Sequence, residues 1–568
     1  MGLLSLGTPL HWSDAQQYAD HVRAHGIDQF LTTYKKEKGQ KNQHLLWGDE
    51  NTWWLMLIKP TATQSSLYEC SISCLVYSNL NSTTTLGKQG NQAPEALWRP
   101  EYGRYMLEST PGLPYGASFI DLVKVEDNMK QRRRLAKSVM YPGDVPVTLV
   151  NYPRLGCPDE LIPEHEPNGQ ACQSMFVPDE IINPHVRFPT LTANIRRRRG
   201  SKVEINMPIY HDKNTPRPFI DPTIPWDREL FPHDKEAKQG AAKPDHIYMD
   251  AMAFGMGCLK QEERKWKINK SRYDSIDTYI STDTIYKDKY NDLDLVYDKD
   301  IYRKLTNDGV DDLLARHLAH LFIRDPLVIF EELLDQDDEQ SSDHFENLQS
   351  TNWQTVRFKP PPPNSTIGWR VEFRSMEVQL TDFENAAFSV FIVLLTRTIL
   401  SLDLNFYLPI TKVDDNMRAA HHRGAVANEK FYFRKHVFTG KGKRTHNDHD
   451  NDDDSYEQMT MDEIMNGQQQ QEDGFPGLIP LVHSYLNSTN IDVETRCRLT
   501  KYLDLISRRA SGELMTGASY LRQLVMQHPD YQHDSVVSSP ITYDIVMAAD
   551  ALAEGRLQAP ELLGDNLL

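Results

Sequence analysis

Two short segments carry residues whose types and spacing could do chemistry. The first is Trp98-Arg99-Pro100-Glu101-Tyr102-Gly103-Arg104-Tyr105-Met106-Leu107-Glu108-Ser109-Thr110-Pro111-Gly112. Glu101 and Glu108 stand seven residues apart. On a helix that spacing puts both carboxylates on one face; on a strand they point opposite ways unless Gly103 marks a bulge. Paired carboxylates among aromatics could hold Mg²⁺, which takes hard oxygen ligands, and two surface glutamates fit the spacing as well. The second segment is Gly368-Trp369-Arg370-Val371-Glu372-Phe373-Arg374. It reads as a period-2 strand with Trp369, Val371 and Phe373 on one side and Arg370, Glu372 and Arg374 on the other. A carboxylate between guanidinium groups suits a site for metal-bound phosphate; a cross-strand ion-pair ladder on a solvated sheet face suits it equally.

Other segments carry less. Arg196 to Arg199 are four consecutive arginines before Gly200, and in an acidic chain they read as a solvated turn rather than an anion site. Tyr248 to Gly257 has glycines suited to a close backbone approach, but not the spacing of a phosphate-binding loop. Cys70 and Cys74 lie four apart with no second pair at zinc-ligand spacing, so they make no site.

The elements that must position these residues are mixed. Ser13 and Gln16 form a capping-box pattern that starts a helix over 14–25, with Gly26 as its stop, and a second helix is expected from Asp28 to Lys38. Val203 to Ile209 alternates as a half-buried strand. Leu313, Leu314, His317, Leu318, Leu321 and Phe322 recur at helical spacing until Asp325-Pro326. Residues 441–474, with the Asp/Asn-rich run His446 to Asp454 and the glutamines Gln468 to Gln471, read as a disordered acidic, Gln-rich insertion. Residues 475–568 read as a helical C-terminal part of the same domain. The fold class is α+β.

The chain has 568 residues and a formal net charge of −18. That balance repels phosphate backbones and acidic lipid, so neither nucleic acid nor membrane is an expected partner. The longest apolar run, Phe388 to Leu395, is too short to span a bilayer and reads as a buried element. Six cysteines are few for this length and fit a reducing compartment. With no signal-peptide pattern at Met1 to Leu10, a cytoplasmic location is expected.

Taken together in order, the segments resemble the eukaryotic glutamate–cysteine ligase family. The resemblance rests on Met1 to Ser5, Trp47-Gly48-Asp49-Glu50, Trp98 to Gly112, Phe188 to Asn194, Asn206 to Pro216 and Pro244 to Gly257. It continues through Lys270 to Asp277, Arg324 to Pro326, Phe345 to Glu384, Phe475 to Pro480 and Arg509 to Thr516, and so covers most of the chain. It implies a glutamine-synthetase-like fold, a curved antiparallel sheet forming an active-site funnel flanked by helices, with 1–440 as the catalytic region. It implies ATP-dependent joining of L-cysteine to the γ-carboxylate of L-glutamate through a γ-glutamyl phosphate, the first step of glutathione biosynthesis, with Mg²⁺ as cofactor and a smaller modifier subunit as a possible partner. Glu50, Glu101, Glu108 and Glu372 become metal ligands, Glu372 and Arg374 ATP contacts, and Glu108 and Arg374 catalytic groups.

Two stretches depart from the family. After Glu50 the family has a hydrophobic residue and then Glu-Tyr-Met; here Asn51-Thr52-Trp53-Trp54 follow, and 51–88 lacks family character. A one-nucleotide shift of reading frame produces such a replacement. After Gly257 the chain runs almost at once into Ser271-Arg272-Tyr273-Asp274-Ser275, so core strands found in the family are expected to be missing. Both departures touch the site. They raise the alternative of an inactive or non-catalytic relative with a binding or regulatory role.

Overall fold

The structure is a computed structural model. It describes residues 4–40, 44–58, 67–68, 94–150, 154–157, 167, 169–200, 203–225, 243–251, 270, 274–350, 355–362, 367–439, 454–468 and 474–567, with Asn51 and residues 53–58, 67–68 and 566–567 described by their backbone. The expectations for Cys70, Cys74, Cys258, His446 to Asp453 and most of 51–88 lie outside the described residues or side chains.

Helices and small antiparallel sheets make an α+β fold. Among the described residues the largest sheet has five strands: β1 (Asn51–Ile58), β2 (Leu67–Tyr68), β3 (Ala96–Pro100), β4 (Met106–Pro111) and β5 (Asp144–Val147), in the order β2-β1-β4-β3 with β5 also on β1. Three two-stranded sheets pair β6 (Ile205–Pro208) with β7 (His246–Met249), β8 (Val356–Lys359) with β9 (Arg370–Phe373), and β10 (Lys430–Arg434) with β11 (Tyr456–Thr460). The helices that carry the packing are α1 (Ala19–Glu37), α2 (Phe119–Ser138), α3 (Arg187–Arg199), α4 (Asp312–Leu321), α5 (Asp343–Ser350), α6 (Asp382–Leu402), α7 (Leu478–Asn487) and α8 (Val493–Ala510).

Three apolar clusters hold these pieces. One joins α2, β5, α6, α7 and α8 through Leu122, Val145, Val390, Leu394, Val482 and Leu503. A second lies under the β3–β4 hairpin, with Trp98 and Leu107 against Met175 and Phe176. The third packs α1 on α4 and α5 through Phe30, Phe322 and Phe345.

α6 is long and apolar enough to cross a membrane. Its first turn instead ends in buried ion pairs. Thr381 and Glu384 form a capping box, Glu384 meets Arg509, and Arg133 of α2 grips Asp382 with two bonds of 2.9 Å. Such a start belongs to a helix seated in protein.

Several elements differ from the sequence reading. α1 runs through Gly26 instead of stopping there. A Cβ at Gly26 would sit 3.0 Å from the Phe322 ring and 3.2 Å from the backbone at His344, so this glycine permits close packing and does not end the helix. Arg196 to Arg199 form the last turn of α3, not a loop. Their charges complement the helix C-terminus, and Gly200 at φ +70° closes it. Within 441–474, the described residues 454–468 form β11 and a short helix, Met461–Asn466. Met459 and Ile464 bury there against Phe475, so enough apolar area exists to order that part.

α4 carries a buried titration. His317 lies beside Asp277, His320 and Arg324, and burial pushes its imidazole down to about 4. The unfolded value is near 6.5, so the folded state binds fewer protons between pH 6.5 and 4. Stability from this group is therefore present above 6.5 and lost as pH falls through that window. Urea melts at pH 7.5 and 5.0 should show a drop in stability that His317→Gln reduces; an equal drop in both proteins would exclude His317 as its source.

Candidate active site

The β3–β4 hairpin explains how Glu101 and Glu108 meet. They share neither a helix nor one strand. Glu101 follows the end of β3 and Glu108 lies within β4, so the chain doubles back between them. The turn is pinned from outside, where Arg104 donates to the Ile181 carbonyl at 2.8 Å and Asn183 to the Tyr102 carbonyl at 2.8 Å. Cross-strand register places Thr52 of β1 and Arg99 of β3 opposite Glu108 on its two sides. Directly opposed residues share a sheet face, so the three form one row.

Glu50 joins this row from just before β1. Ligand oxygens of Glu50, Glu101 and Glu108 all lie within 4.8 Å of one another. Glu108 is 1% exposed. Burial, the neighbouring Glu50 and Glu101 charges, and hydrogen bonds to both lift its carboxyl to about 11. One Glu108 oxygen is buried without a hydrogen-bond partner. Three crowded carboxylates with an orphaned oxygen suit a divalent cation: hard oxygen donors, and like charges that a +2 ion relieves. The residues present therefore fit Mg²⁺.

Arg132 of α2 holds this arrangement from below. It is fully buried. Its Nη1 donates to the Ser109 carbonyl at 2.9 Å and to Ser109 Oγ at 3.0 Å, while Nη2 pairs with Asp49. Asp49 also accepts from the Tyr115 hydroxyl at 3.0 Å. Asp49 precedes Glu50 and Ser109 follows Glu108, so one guanidinium sets the backbone beside two of the three carboxylates.

Glu372 lies on a different hairpin. Arg357 stands directly opposite it in the β8–β9 register. Arg357 Nη1 is 3.7 Å away and Arg374 Nε 3.4 Å, and Lys359 makes the tightest pair with it. Burial raises its carboxyl, but the positive charges of Arg357 and Lys359 outweigh that and hold it down to about 2. Arg370, lowered chiefly by burial, also feels the Arg99 charge. β9 has its polar side inward: Val371 is 69% exposed and Phe373 45%. The structure thus brings Glu50, Glu101 and Glu108 together, and sets Glu372 and Arg374 apart from them in a basic nest on another hairpin.

Sequence reasoning missed Arg132, Arg357 and Lys359. The β8 residues had a readable signal, the alternation Val356-Arg357-Phe358-Lys359. Arg132 sits within Arg132-Arg133-Arg134, where nothing distinguishes buried arginines from exposed ones.

A glutamate–cysteine ligase family model matches residues 1–260 and 259–552. The chain belongs to the glutamate–cysteine ligase family. It is 46% identical to the rat glutamate–cysteine ligase catalytic subunit over 645 positions, covering 100% of this chain and 98% of the relative. The human catalytic subunit is 46% identical over 643 positions, covering 99% and 97%. The ligase of Schizosaccharomyces pombe is 42% identical over 667, covering 98% of each. Each relative is named for the ligase, and a non-catalytic role finds no support in them. The two family matches meet within three residues of Gly257. The rat alignment of 645 positions exceeds the 568 residues here, so at least 77 positions of it have no counterpart in this chain.

Two outcomes follow for this ligase site. Glu108→Gln removes one of three crowded carboxylates; it should raise the melting temperature without Mg²⁺ and abolish the further rise that Mg²⁺ gives the wild type. A Mg²⁺-induced shift of wild-type size in that variant would count against the trio as the cation site. Arg132→Met strands Asp49 in the interior and should cost roughly 3–5 kcal/mol in urea unfolding; a cost under about 1 kcal/mol would show that Arg132 does not carry the site.

Proposed function

We propose that this chain joins L-cysteine to the γ-carboxylate of L-glutamate, using ATP, to give γ-glutamylcysteine for glutathione biosynthesis. The observation that carries this reading is the gathering of Glu50, Glu101 and Glu108 from separate segments into one cluster. In the proposed reaction a γ-carboxylate oxygen of glutamate attacks the γ-phosphorus of ATP, and ADP leaves with the bridging oxygen. The cysteine nitrogen then attacks the acyl carbon, phosphate departs, and the nitrogen releases its proton to solvent.

Glu50, Glu101 and Glu108 would hold Mg²⁺, with Glu372 as a further ligand. The ion would supply neutralisation of phosphate charge. Arg374 would contact the ATP phosphates, stabilising charge that spreads over the phosphoryl oxygens. Burial of Glu108 within β4 keeps bulk water from its carboxyl, which would protect the acyl phosphate from hydrolysis. A glutamine-synthetase-like funnel is the proposed setting for these parts, and the cytoplasm the proposed location. The words "catalytic subunit" in the rat and human names imply a further subunit, and we extend that partnership to this chain as well.

Purified full-length chain supplied with glutamate, cysteine, ATP and Mg²⁺ should form γ-glutamylcysteine and ADP in equal amounts, and EDTA should stop both. A folded, monodisperse preparation that makes neither product would sink the proposal.

A further inference from the structure

Three histidines meet where α1 packs on α5. His21 and His25 stand four apart on one face of α1, with ring centres 4.3 Å apart. His344, in the first turn of α5, brings its ring centre to 6.1 Å from each of them. Gly26 permits this approach, since a Cβ there would stand 3.2 Å from the His344 backbone.

Their hydrogen bonds fix which ring nitrogen is left over. His21 Nε2 and His344 Nε2 each lie 2.9 Å from the Leu334 carbonyl oxygen. A carbonyl only accepts, so both nitrogens carry a proton, and each neutral ring keeps its lone pair on Nδ1. His25 Nδ1 donates to Asp338 Oδ2 at 2.7 Å, which leaves the lone pair of its neutral ring on Nε2. The acceptors are themselves held. Gln29, fully buried and one turn on from His25, donates to Asp338 Oδ1 at 3.0 Å and accepts from the backbone N–H groups of His344 and Phe345. Metal-ligating histidines characteristically donate their other ring N–H to a carboxylate or a backbone carbonyl. All three of these histidines do so.

We propose that His21, His25 and His344 form a binding site for a divalent transition-metal ion that prefers nitrogen donors, with Zn²⁺ as its type. Imidazoles on one tetrahedral zinc, with Zn–N about 2.0–2.1 Å, have ring centres about 5 Å apart. The separations here fall within about 1 Å of that spacing, one below it and two above. The free nitrogens are not gathered as the site glutamates are, so the ion completes the site by turning rings already within reach. His21 and His25 have room to turn, their side chains being 32% and 34% exposed, and the ion enters from that side. Asp335, exposed and 3.5 Å from His21 Nε2, stands beside the fourth position. The bound ion clamps α1, α5 and the loop from Leu334 to Asp338. Nitrogen donors separate this site from the all-oxygen glutamate trio, which suits Mg²⁺. The inference is independent of the ligase reading.

The test is calorimetric titration of ZnCl₂ into metal-stripped full-length chain in excess Mg²⁺, which keeps the glutamate trio out of the measurement. One Zn²⁺ should bind per chain. His25→Gln should weaken binding about a hundredfold, and Asp338→Asn, which leaves every ligand in place, about tenfold. His21→Asn/His25→Asn should abolish it. Wild-type chain that binds no Zn²⁺ would overturn the proposal, and so would wild-type affinity in the double variant, since the ion would then sit elsewhere.

A second arm needs no variant. Diethyl pyrocarbonate acylates the free nitrogen of neutral imidazole, and peptide mass spectrometry of wild-type chain reads each histidine separately. Zn²⁺ should slow acylation of His21 and His25 about tenfold or more and leave the exposed His422 unchanged. Equal rates at His21 and His25 with and without Zn²⁺ would overturn the assignment, and protection of His422 to the same degree would show adventitious binding only.

Discussion

A buried guanidinium is the constraint on which the carboxylate cluster depends. Arg132 reaches from α2 to Asp49 on one side and Ser109 on the other. Three carboxylates within a few ångströms repel one another, and repulsion alone would splay the segments that carry them. The fork opposes this by fixing the neighbours of Glu50 and Glu108, not the carboxylates themselves. Its own charge is answered by Asp49, which leaves the glutamates free for a cation. A planar group with several donors can hold two backbone segments in this way, whereas an ammonium acts as a point charge.

The site divides its charge in two. On the sheet, glutamates crowd until one of them is driven toward its neutral form. On the β8–β9 hairpin, cations crowd around one carboxylate that they keep ionised. Arg99, in the row with Glu108 and within electrostatic range of Arg370, links the two halves. In the proposed reaction an anionic phosphate with its cation would bring negative charge to the arginines and positive charge to the glutamates. Charge that is pre-placed and poorly satisfied in the free protein favours the charged ligand when it binds.

The α+β class was legible in the sequence, and Glu50, Glu101 and Glu108, which short motifs singled out, are the glutamates that the fold draws together. The geometry that unites them was less so. Glu101 and Glu108 were weighed as residues of one helix or one strand, and the hairpin between them depends on contacts with residues 181–183 that local spacing does not encode. Gly26 looked like a helix stop because glycine usually disfavours helix; the packing of Phe322 and α5 overrides that preference. Residues 454–468 sit in a polar stretch, yet Met459 and Ile464 reach a core built from distant helices. Arg132 was invisible because burial is a tertiary property, and its neighbour Arg133 is spent on a different task, the anchoring of α6.

β9 shows how a correct pattern can carry a wrong default. Its alternation is clear, and the ordinary rule would turn Trp369, Val371 and Phe373 toward the core. Instead Glu372 and Arg370 face inward, and Val371 and Phe373 stand in solvent. The inversion is a chemical necessity, since the strand must present charge to the interior of the site. It also leaves an apolar outer face on a two-stranded hairpin, a poor arrangement for a strand that needs rigidity. The ion pairs of Arg357, Lys359 and Arg374 with Glu372 hold two short strands in register from the polar side, while Phe358 of β8, stacked on Trp369 at 5.3 Å, holds them from the apolar side.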